Sequence, residues 1–438
     1  MGRTLDVLVF GLSERVDSLA EQLGRLALNC RIVRADSPPA RRPRPWAGGI
    51  ILAECENDVD DGLKAFARFT ETEHPVVVVG PAGMAKRDGV DAWLRDPAPA
   101  VQIAARIRAL FRLQTMEIVA RRRAEVTALY GQRRPVFERQ DSPPAILYVG
   151  DASPRFMALR HAMEAANAEI VAAFSSYSAF DYLHERPFDA VILNAMGKRD
   201  IAFTISSAMR RNARLYHTPV LLLTDTIDSQ ASEEAFARGV SDILPATSDD
   251  REMRERILTL TDERRRRREA KSALESCRDP RSLDIDTGLF NSGFLTSHIQ
   301  DLLNASARDE ASFALLALQV LLPEGTAAPD SISAEKARRQ FAAMLRHLLR
   351  TEDAAARFST DKFLAVLPFT DTPGIDCVAA RVAAIAECTA FESEDPLQPF
   401  RLSVRAAPVQ SRPGETAEAL IERAVRALAS PAQIVAQA

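Results

Sequence analysis

Short apolar runs alternate with amphipathic stretches through the first 250 residues of the chain. Residues 6–11 form such a run, and the apolar side chains that follow at helical spacing predict a helix continuing to about Asn29. Further runs predict strands at 30–33, 49–53, 76–80, 145–150, 169–173, 190–194 and 220–224. Buried strands that alternate with helices are typical of a parallel sheet covered on both faces. The pattern therefore predicts an internal duplication, with one doubly wound domain in 1–130 and a second in 145–262.

The remaining chain is predicted to contain a helical linker at 263–282 and a third domain at 283–430. The linker begins with five arginines between Glu263 and Glu269. Such a run could form a phosphate-binding patch or the solvated face of a helix. We favour the solvated helix because no aromatic residues are interleaved with the arginines, as nucleic-acid-binding segments often require.

Composition places few limits on this picture. The length of 438 residues suits about three domains, and 47% hydrophobic with 26% charged residues is ordinary for a globular protein. A formal net charge of −4 gives no reason to expect binding to nucleic acid or a membrane surface. The five scattered cysteines fit reduced thiols, and no apolar run approaches the roughly 18 residues of a membrane span. We therefore expect a soluble, cytoplasmic protein.

Each of the first two domains resembles a response-regulator receiver domain, which implies a flavodoxin-like fold. The resemblance is carried by Gly89–Leu94 and by Gly239–Leu244, where the second has the sequence Gly-Val-Ser-Asp-Ile-Leu. Receivers need paired acids after the first strand, a phosphate-accepting Asp and a Lys. At those positions stand Gly11, Leu12, Ala53 (or Glu54) and Asp96 in one domain, and Gly150, Asp151, Asn194 and Ala246 in the other, which keeps only Thr224. We expect no phosphoacceptor, and Asn194 is uncharged.

The stretch Arg350–Phe363 resembles the signature of the GGDEF family, whose members condense two GTP into cyclic di-GMP. Its sequence is Arg-Thr-Glu-Asp-Ala-Ala-Ala-Arg-Phe-Ser-Thr-Asp-Lys-Phe. Residues 283–291 are similar to the opening signature of the same family. The resemblance implies an α/β domain with a central, mostly antiparallel sheet, in the order receiver–receiver–GGDEF.

The residues that would catalyse this reaction are missing. Gln319 and Leu321 stand where the family has metal-binding acids, and Ser359-Thr360 replaces the glycine pair. Lys362 places a cation where Mg²⁺ would sit, and the segment 324–330 has no basic residue to hold a phosphate. With the motif Ser-Thr-Asp-Lys-Phe, we expect no enzyme activity, no bound metal and no cofactor.

A second site of the family is preserved. The resemblance implies that Arg350 and Asp353 form the Arg-x-x-Asp site that binds cyclic di-GMP, and that Arg381 completes it. Arginine suits this role because its planar fork makes bidentate contacts with phosphate or a base edge. The alternative is a local ion pair at the end of a helix, which would contribute only a few tenths of a kcal/mol.

Two functions remain open from the sequence. The favoured one is a non-enzymatic cyclic di-GMP effector in bacterial signalling or cell-cycle control, a homodimer whose receiver domains bind protein partners. It corresponds to a catalytically degenerate member of the receiver–receiver–GGDEF proteins. The alternative is a ligand-free interaction scaffold, and residual GTP binding or nucleic-acid binding through the arginine run is favoured less.

Overall fold

A computed structural model of the chain defines two compact units. One contains residues 4–114 and 138–269, and the other contains 115–137 and 270–438 together with 1–3. The structure describes residues 4–34, 46–69, 74–84, 87–131, 142–225, 229–309, 313–323, 331–392 and 399–429. Within these ranges, no helix has both the length and the apolar content that a membrane crossing requires.

The first parallel sheet has the strand order β2-β1-β3-β4-β5. Its elements are β1 (Leu5–Phe10), α1 (Arg15–Arg25), β2 (Leu28–Val33), β3 (Gly48–Leu52), α2 (Glu56–Ala67), β4 (Val76–Gly80), β5 (Ala92–Arg95) and the first part of α3 (Ala100–Leu129). Helix α1 ends earlier than the predicted Asn29. Ala27 has a positive φ of 57° that terminates the helix, and the chain enters β2 at once.

The second parallel sheet repeats this arrangement with the order β7-β6-β8-β9-β10. Its elements are β6 (Ala145–Val149), α4 (Pro154–Glu164), β7 (Glu169–Ala173), α5 (Ser176–Glu185), β8 (Ala190–Asn194), α6 (Arg199–Arg211), β9 (Val220–Thr224), α7 (Ser229–Ala237), β10 (Asp242–Pro245) and α8 (Asp250–Ser276). The same strand order in both sheets confirms the predicted pair of doubly wound domains.

The two receiver-like domains pack against each other through buried polar contacts. Gln102 of α3 donates from Nε2 to Asp242 Oδ1 at 2.7 Å, and Arg256 of α8 pairs with the same carboxylate at 2.6 Å. Arg106 forms an ion pair with Glu263. One face of each domain is therefore already covered within the chain.

The arginine run on α8 is not the solvated face that we expected. Arg265 donates to Asp189 Oδ2 at 3.0 Å, and Arg268 binds the other oxygen of the same carboxylate. Asp189 is buried at the start of β8 and also accepts from the Ala145 backbone N–H at 3.1 Å. A buried carboxylate requires such partners, so these arginines stabilise the second domain.

The C-terminal unit has a four-stranded antiparallel sheet in the order β12-β13-β11-β14. Its elements are α9 (Ser292–Asp309), β11 (Ala314–Leu321), α10 (Ile332–Leu348), β12 (Ala354–Arg357), β13 (Lys362–Leu367), α11 (Thr372–Cys388), β14 (Ser403–Gln410) and α12 (Ala417–Leu428). Alternate residues of β11 point to opposite faces, where two apolar cores form. The last part of α3, from Thr115, also belongs to this unit and adds Val126 to one core.

Candidate ligand site

The predicted ligand residues lie on the turn between α10 and β12. This turn comprises Leu349–Asp353. It begins at Leu349, whose extended backbone angles end helix α10. Asp353 Oδ2 accepts the backbone N–H of Arg350 at 2.8 Å, which closes the turn. The Arg350 side chain is exposed, and its guanidinium makes no hydrogen bond to any part of the chain that the structure describes. Arg350 is thus available to a ligand.

Arg381 reaches the same turn from helix α11. Its Nη2 donates to the backbone carbonyl of Leu348 at 2.8 Å, two residues before Arg350, and the side chain is otherwise exposed. Arg381 therefore lies against the end of the helix that precedes Arg350 and Asp353. The role of these three residues in binding a ligand stays a prediction. The two guanidinium groups carry ten N–H donors, five on each. One of them is used by Leu348, so up to nine remain to bind phosphate.

Asp353 is less open than its two basic neighbours. Only 8% of it is exposed, and Oδ1 is shielded from solvent without a hydrogen-bond partner among the described residues. Burial, followed by the neighbouring charge of Glu352, raises the pKa of Asp353 to about 7. Arg350 and Arg123 oppose this shift without cancelling it. The carboxyl is therefore about half protonated near neutral pH.

Arg123 was not predicted from the sequence. It is a further functional candidate because its side chain contacts the backbone of the same turn. It lies on the last part of α3, is 2% exposed, and donates from Nη2 to the carbonyl of Glu352 at 2.6 Å. A signal existed in the sequence. Arg123 falls at helical spacing on the apolar stripe that contains Val119, Ala120 and Val126, where a charged residue needs a specific partner.

The segment that resembles the family's catalytic turn forms a tight hairpin between β12 and β13 (the catalytic hairpin). Phe358 N–H donates to the carbonyl of Lys362 at 2.9 Å. Arg357 anchors the base of the hairpin with two parallel hydrogen bonds to Glu335 of α10, at 2.7 and 2.9 Å. The hairpin is a polar turn fixed to the neighbouring helix, and its backbone carries side chains where the family has glycines.

Asp361, the one carboxylate left in this turn, is fully engaged. Its Oδ2 accepts from Gln319 Nε2 at 2.7 Å, and its Oδ1 accepts from Ser359 Oγ at 3.2 Å and from Lys362 Nζ at 3.3 Å. Burial acts to raise the pKa of Asp361, but these donors outweigh it and hold the pKa below its ordinary value. The predicted phosphate-side segment 324–330 lies outside the described residues.

The phosphoacceptor position of the second receiver-like domain is likewise occupied by internal contacts. Asn194 donates from Nδ2 to the Tyr148 hydroxyl at 3.1 Å and accepts the Met196 N–H at 3.1 Å. Asp151, the nearby acid, forms an ion pair with Lys198 at 2.7 Å. In the first domain, Asp96 stands in place of the receiver lysine and pairs with Arg15 at 2.5 Å.

We predict that neither receiver-like domain accepts a phosphoryl group. A carboxylate nucleophile and a cluster of acids for Mg²⁺ are both needed, and Asn194 supplies neither. Incubation with acetyl phosphate or beryllofluoride, followed by intact mass measurement, should show an unmodified chain. A stable adduct on Glu54 or Asp151 would contradict the prediction.

Comparison with known proteins agrees with this architecture. Residues 333–433 match the family model for the diguanylate cyclase GGDEF domain. The chain is similar to the response regulator PleD of Caulobacter vibrioides, with 24% identity over 388 residues that cover 86% of this chain and 85% of PleD. The match and the similarity support a PleD-like order of receiver, receiver and GGDEF domains, and a response regulator of cyclic di-GMP signalling.

Two solved structures are each similar to a part of the chain. The GGDEF domain of DgcB from Caulobacter crescentus, solved in complex with c-di-GMP, is 15% identical and covers 34% of this chain and 87% of that chain, with a TM-score of 0.32. A response regulator from Thermotoga maritima is 18% identical and covers 27% of this chain and 98% of that chain, with a TM-score of 0.26.

Proposed function

We propose that the protein is a non-enzymatic effector that binds cyclic di-GMP at the turn of Arg350 and Asp353. One observation carries this proposal. Arg350 and Arg381 are both exposed near the turn, whereas the carboxylate of Asp361 in the catalytic hairpin already accepts hydrogen bonds from neighbouring side chains. The chain thus presents basic groups for a phosphate ligand and withholds the carboxylate that a metal would need. The match of residues 333–433 to the diguanylate cyclase GGDEF domain supports the choice of ligand.

The proposed lack of catalysis rests on the hairpin between β12 and β13. Two GTP molecules can react only if divalent cations neutralise their phosphates, and hard cations require several oxygen ligands. Gln319 donates its amide N–H to Asp361, and Lys362 adds a positive charge to the same carboxylate. No metal or other cofactor enters the proposed function, and the protein acts by binding alone.

The receiver-like domains are proposed to bind protein partners and a second copy of the chain. Each domain has one face buried by the other, through Gln102 and Asp242, which leaves its remaining faces for external contacts. A stable dimer would bury roughly 1,200–2,000 Å². We expect light scattering to report a homodimer at tens of micromolar. A monomer with and without ligand would contradict this expectation.

The affinity for cyclic di-GMP should rise with pH because of Asp353. Its carboxyl must be ionised to accept ligand N–H groups, and burial has raised its pKa to about 7. Affinity should therefore increase about tenfold from about pH 6 to about pH 8, as the ionised fraction grows. Calorimetric titration across this range measures the effect. Asp353→Asn should give a weaker and pH-independent affinity, and a flat profile in the wild type would exclude the carboxyl as an acceptor.

A ligand-free scaffold is the second candidate, favoured by the shielded Oδ1 of Asp353. Thermal unfolding with added nucleotide distinguishes the two functions. A ligand that binds only the folded state raises the melting temperature in proportion to the logarithm of its concentration. We expect a shift with cyclic di-GMP and none with GTP. No shift with either nucleotide would favour the scaffold, and a shift with GTP alone would indicate residual substrate binding.

A further inference from the structure

The buried guanidinium of Arg123 on helix α3 contacts the turn Leu349–Asp353 (the ligand turn), although the two segments are far apart in the sequence. Besides its bond to Glu352, Arg123 donates to the carbonyl of Asp353 at 3.2 Å and to that of Thr351 at 3.5 Å. Its guanidinium carbon also lies 5.5 Å from the centre of the Phe290 ring. Leaving buried carbonyls without a donor is costly, so Arg123 holds the backbone of the turn in this form.

In this form the turn does not offer its carboxylate to a ligand. Asp353 Oδ2 accepts the Arg350 N–H, and Oδ1 is out of reach of solvent. Guanine presents two neighbouring N–H donors, which a carboxylate accepts best with both oxygens. The turn must therefore rearrange before Asp353 can bind a guanine edge, and that rearrangement moves the carbonyls that Arg123 holds.

We propose that Arg123 is a latch that keeps the ligand turn in a low-affinity form, so that ligand binding competes with docking of residues 115–129. This inference rests on the proposed cyclic di-GMP site. While the latch is closed, the apparent affinity is reduced by the fraction of molecules whose turn is competent to bind. The coupling is reciprocal, since a ligand that favours the open turn must also weaken the docking of the helix.

The position of the latch gives it a regulatory role. Residues 100–114 of α3 belong to the unit of the two receiver-like domains, and residues 115–129 of the same helix belong to the unit with the ligand turn. Arg123 therefore lies on the covalent path between them. Binding of cyclic di-GMP is the event that releases this segment, and a partner that stabilises the docked helix lowers ligand affinity.

Hydrogen exchange on the wild-type chain tests the latch directly. With saturating cyclic di-GMP, the amides of residues 115–129 should exchange faster, because their docking is weakened, while those of Arg350–Asp353 become protected. Unchanged or slower exchange in 115–129, with the turn protected, would overturn the latch and leave the ligand site intact. No protection anywhere would instead count against the proposed function.

A matched pair of variants on α3 provides the second test. Arg123→Lys keeps the charge but loses the planar fork that contacts several carbonyls, and it should bind cyclic di-GMP about three- to tenfold more tightly than the wild type. Arg121→Gln alters an exposed residue of the same helix and should bind as the wild type does. Equal or weaker binding by Arg123→Lys, beside normal wild-type binding, contradicts the latch. The hydrogen-exchange experiment uses the wild-type chain, so its test of the latch does not depend on whether Arg123→Lys folds.

Discussion

Replacing Arg350 with alanine is expected to weaken the binding of cyclic di-GMP by about a hundredfold or more. In the proposed complex, the exposed guanidinium of Arg350 contacts a phosphate oxygen and a base edge at the same time. Each such charge-assisted hydrogen bond contributes about 1.5–3 kcal/mol, and about 1.4 kcal/mol corresponds to a factor of ten. Because the side chain makes no hydrogen bond within the described residues, its removal should leave the stability of the fold unchanged.

The neighbouring residues provide a graded series of controls for this measurement. Asp353→Ala should also weaken binding, but it removes the acceptor that closes the turn, so part of its effect is structural. Arg381→Ala should cost less, since one of its donors is already committed to Leu348. Asp361 lies in the catalytic hairpin, so the Asp361→Ala variant should bind cyclic di-GMP with wild-type affinity. An Arg350→Ala variant with wild-type affinity would contradict the assignment of the site.

The purified protein should make no cyclic di-GMP from GTP with Mg²⁺ or Mn²⁺. The resemblance to the family implies that Gln319 and Leu321 replace two metal-binding acids and that Lys362 replaces a third. We expect the rate to equal that of the uncatalysed reaction. The protein would then lack the roughly million-fold or greater acceleration that enzymes provide. Chromatographic detection of the product over several hours measures this directly, and product above a heat-inactivated control would contradict the prediction.

A single repair of the hairpin should not restore synthesis. Lys362→Glu would remove the cation next to Asp361, yet Leu321 still offers no oxygen to a metal and Gln319 only a neutral one. The matched variant Lys362→Gln removes the charge without adding a carboxylate. We expect both to be inactive. Activity in Lys362→Glu alone would show that the charge of one residue, and not the loss of the metal cage, silenced the domain.

Much of the fold could be predicted because buried parallel strands leave a strong local pattern. The runs at 76–80, 169–173 and 220–224 coincide with β4, β7 and β9. Arg350, Asp353 and Arg381 were inferred from their resemblance to a known motif, and their role in binding stays a prediction. Contacts between residues far apart in the chain were not accessible. Nothing in the sequence states that Gln319 and Asp361, forty-two positions apart, share a hydrogen bond.

The same limit explains the errors on charged residues. The arginine run was expected to be solvated because no aromatic residues are interleaved with it. Its partner Asp189 lies just before β8, 76 positions from Arg265. Arg123 was overlooked for the same reason, as its acceptors lie 228–230 positions away. In both cases tertiary structure supplies the buried partner, which the sequence around the arginine does not identify.

The proposed ligand site can be tested by calorimetric titration of the wild-type chain with cyclic di-GMP and, separately, with GTP. We expect saturable binding of cyclic di-GMP, at least about a hundredfold weaker binding by Arg350→Ala, and no heat of binding with GTP. Absence of binding by cyclic di-GMP at high micromolar concentration would contradict it and leave the ligand-free scaffold as the function of the chain.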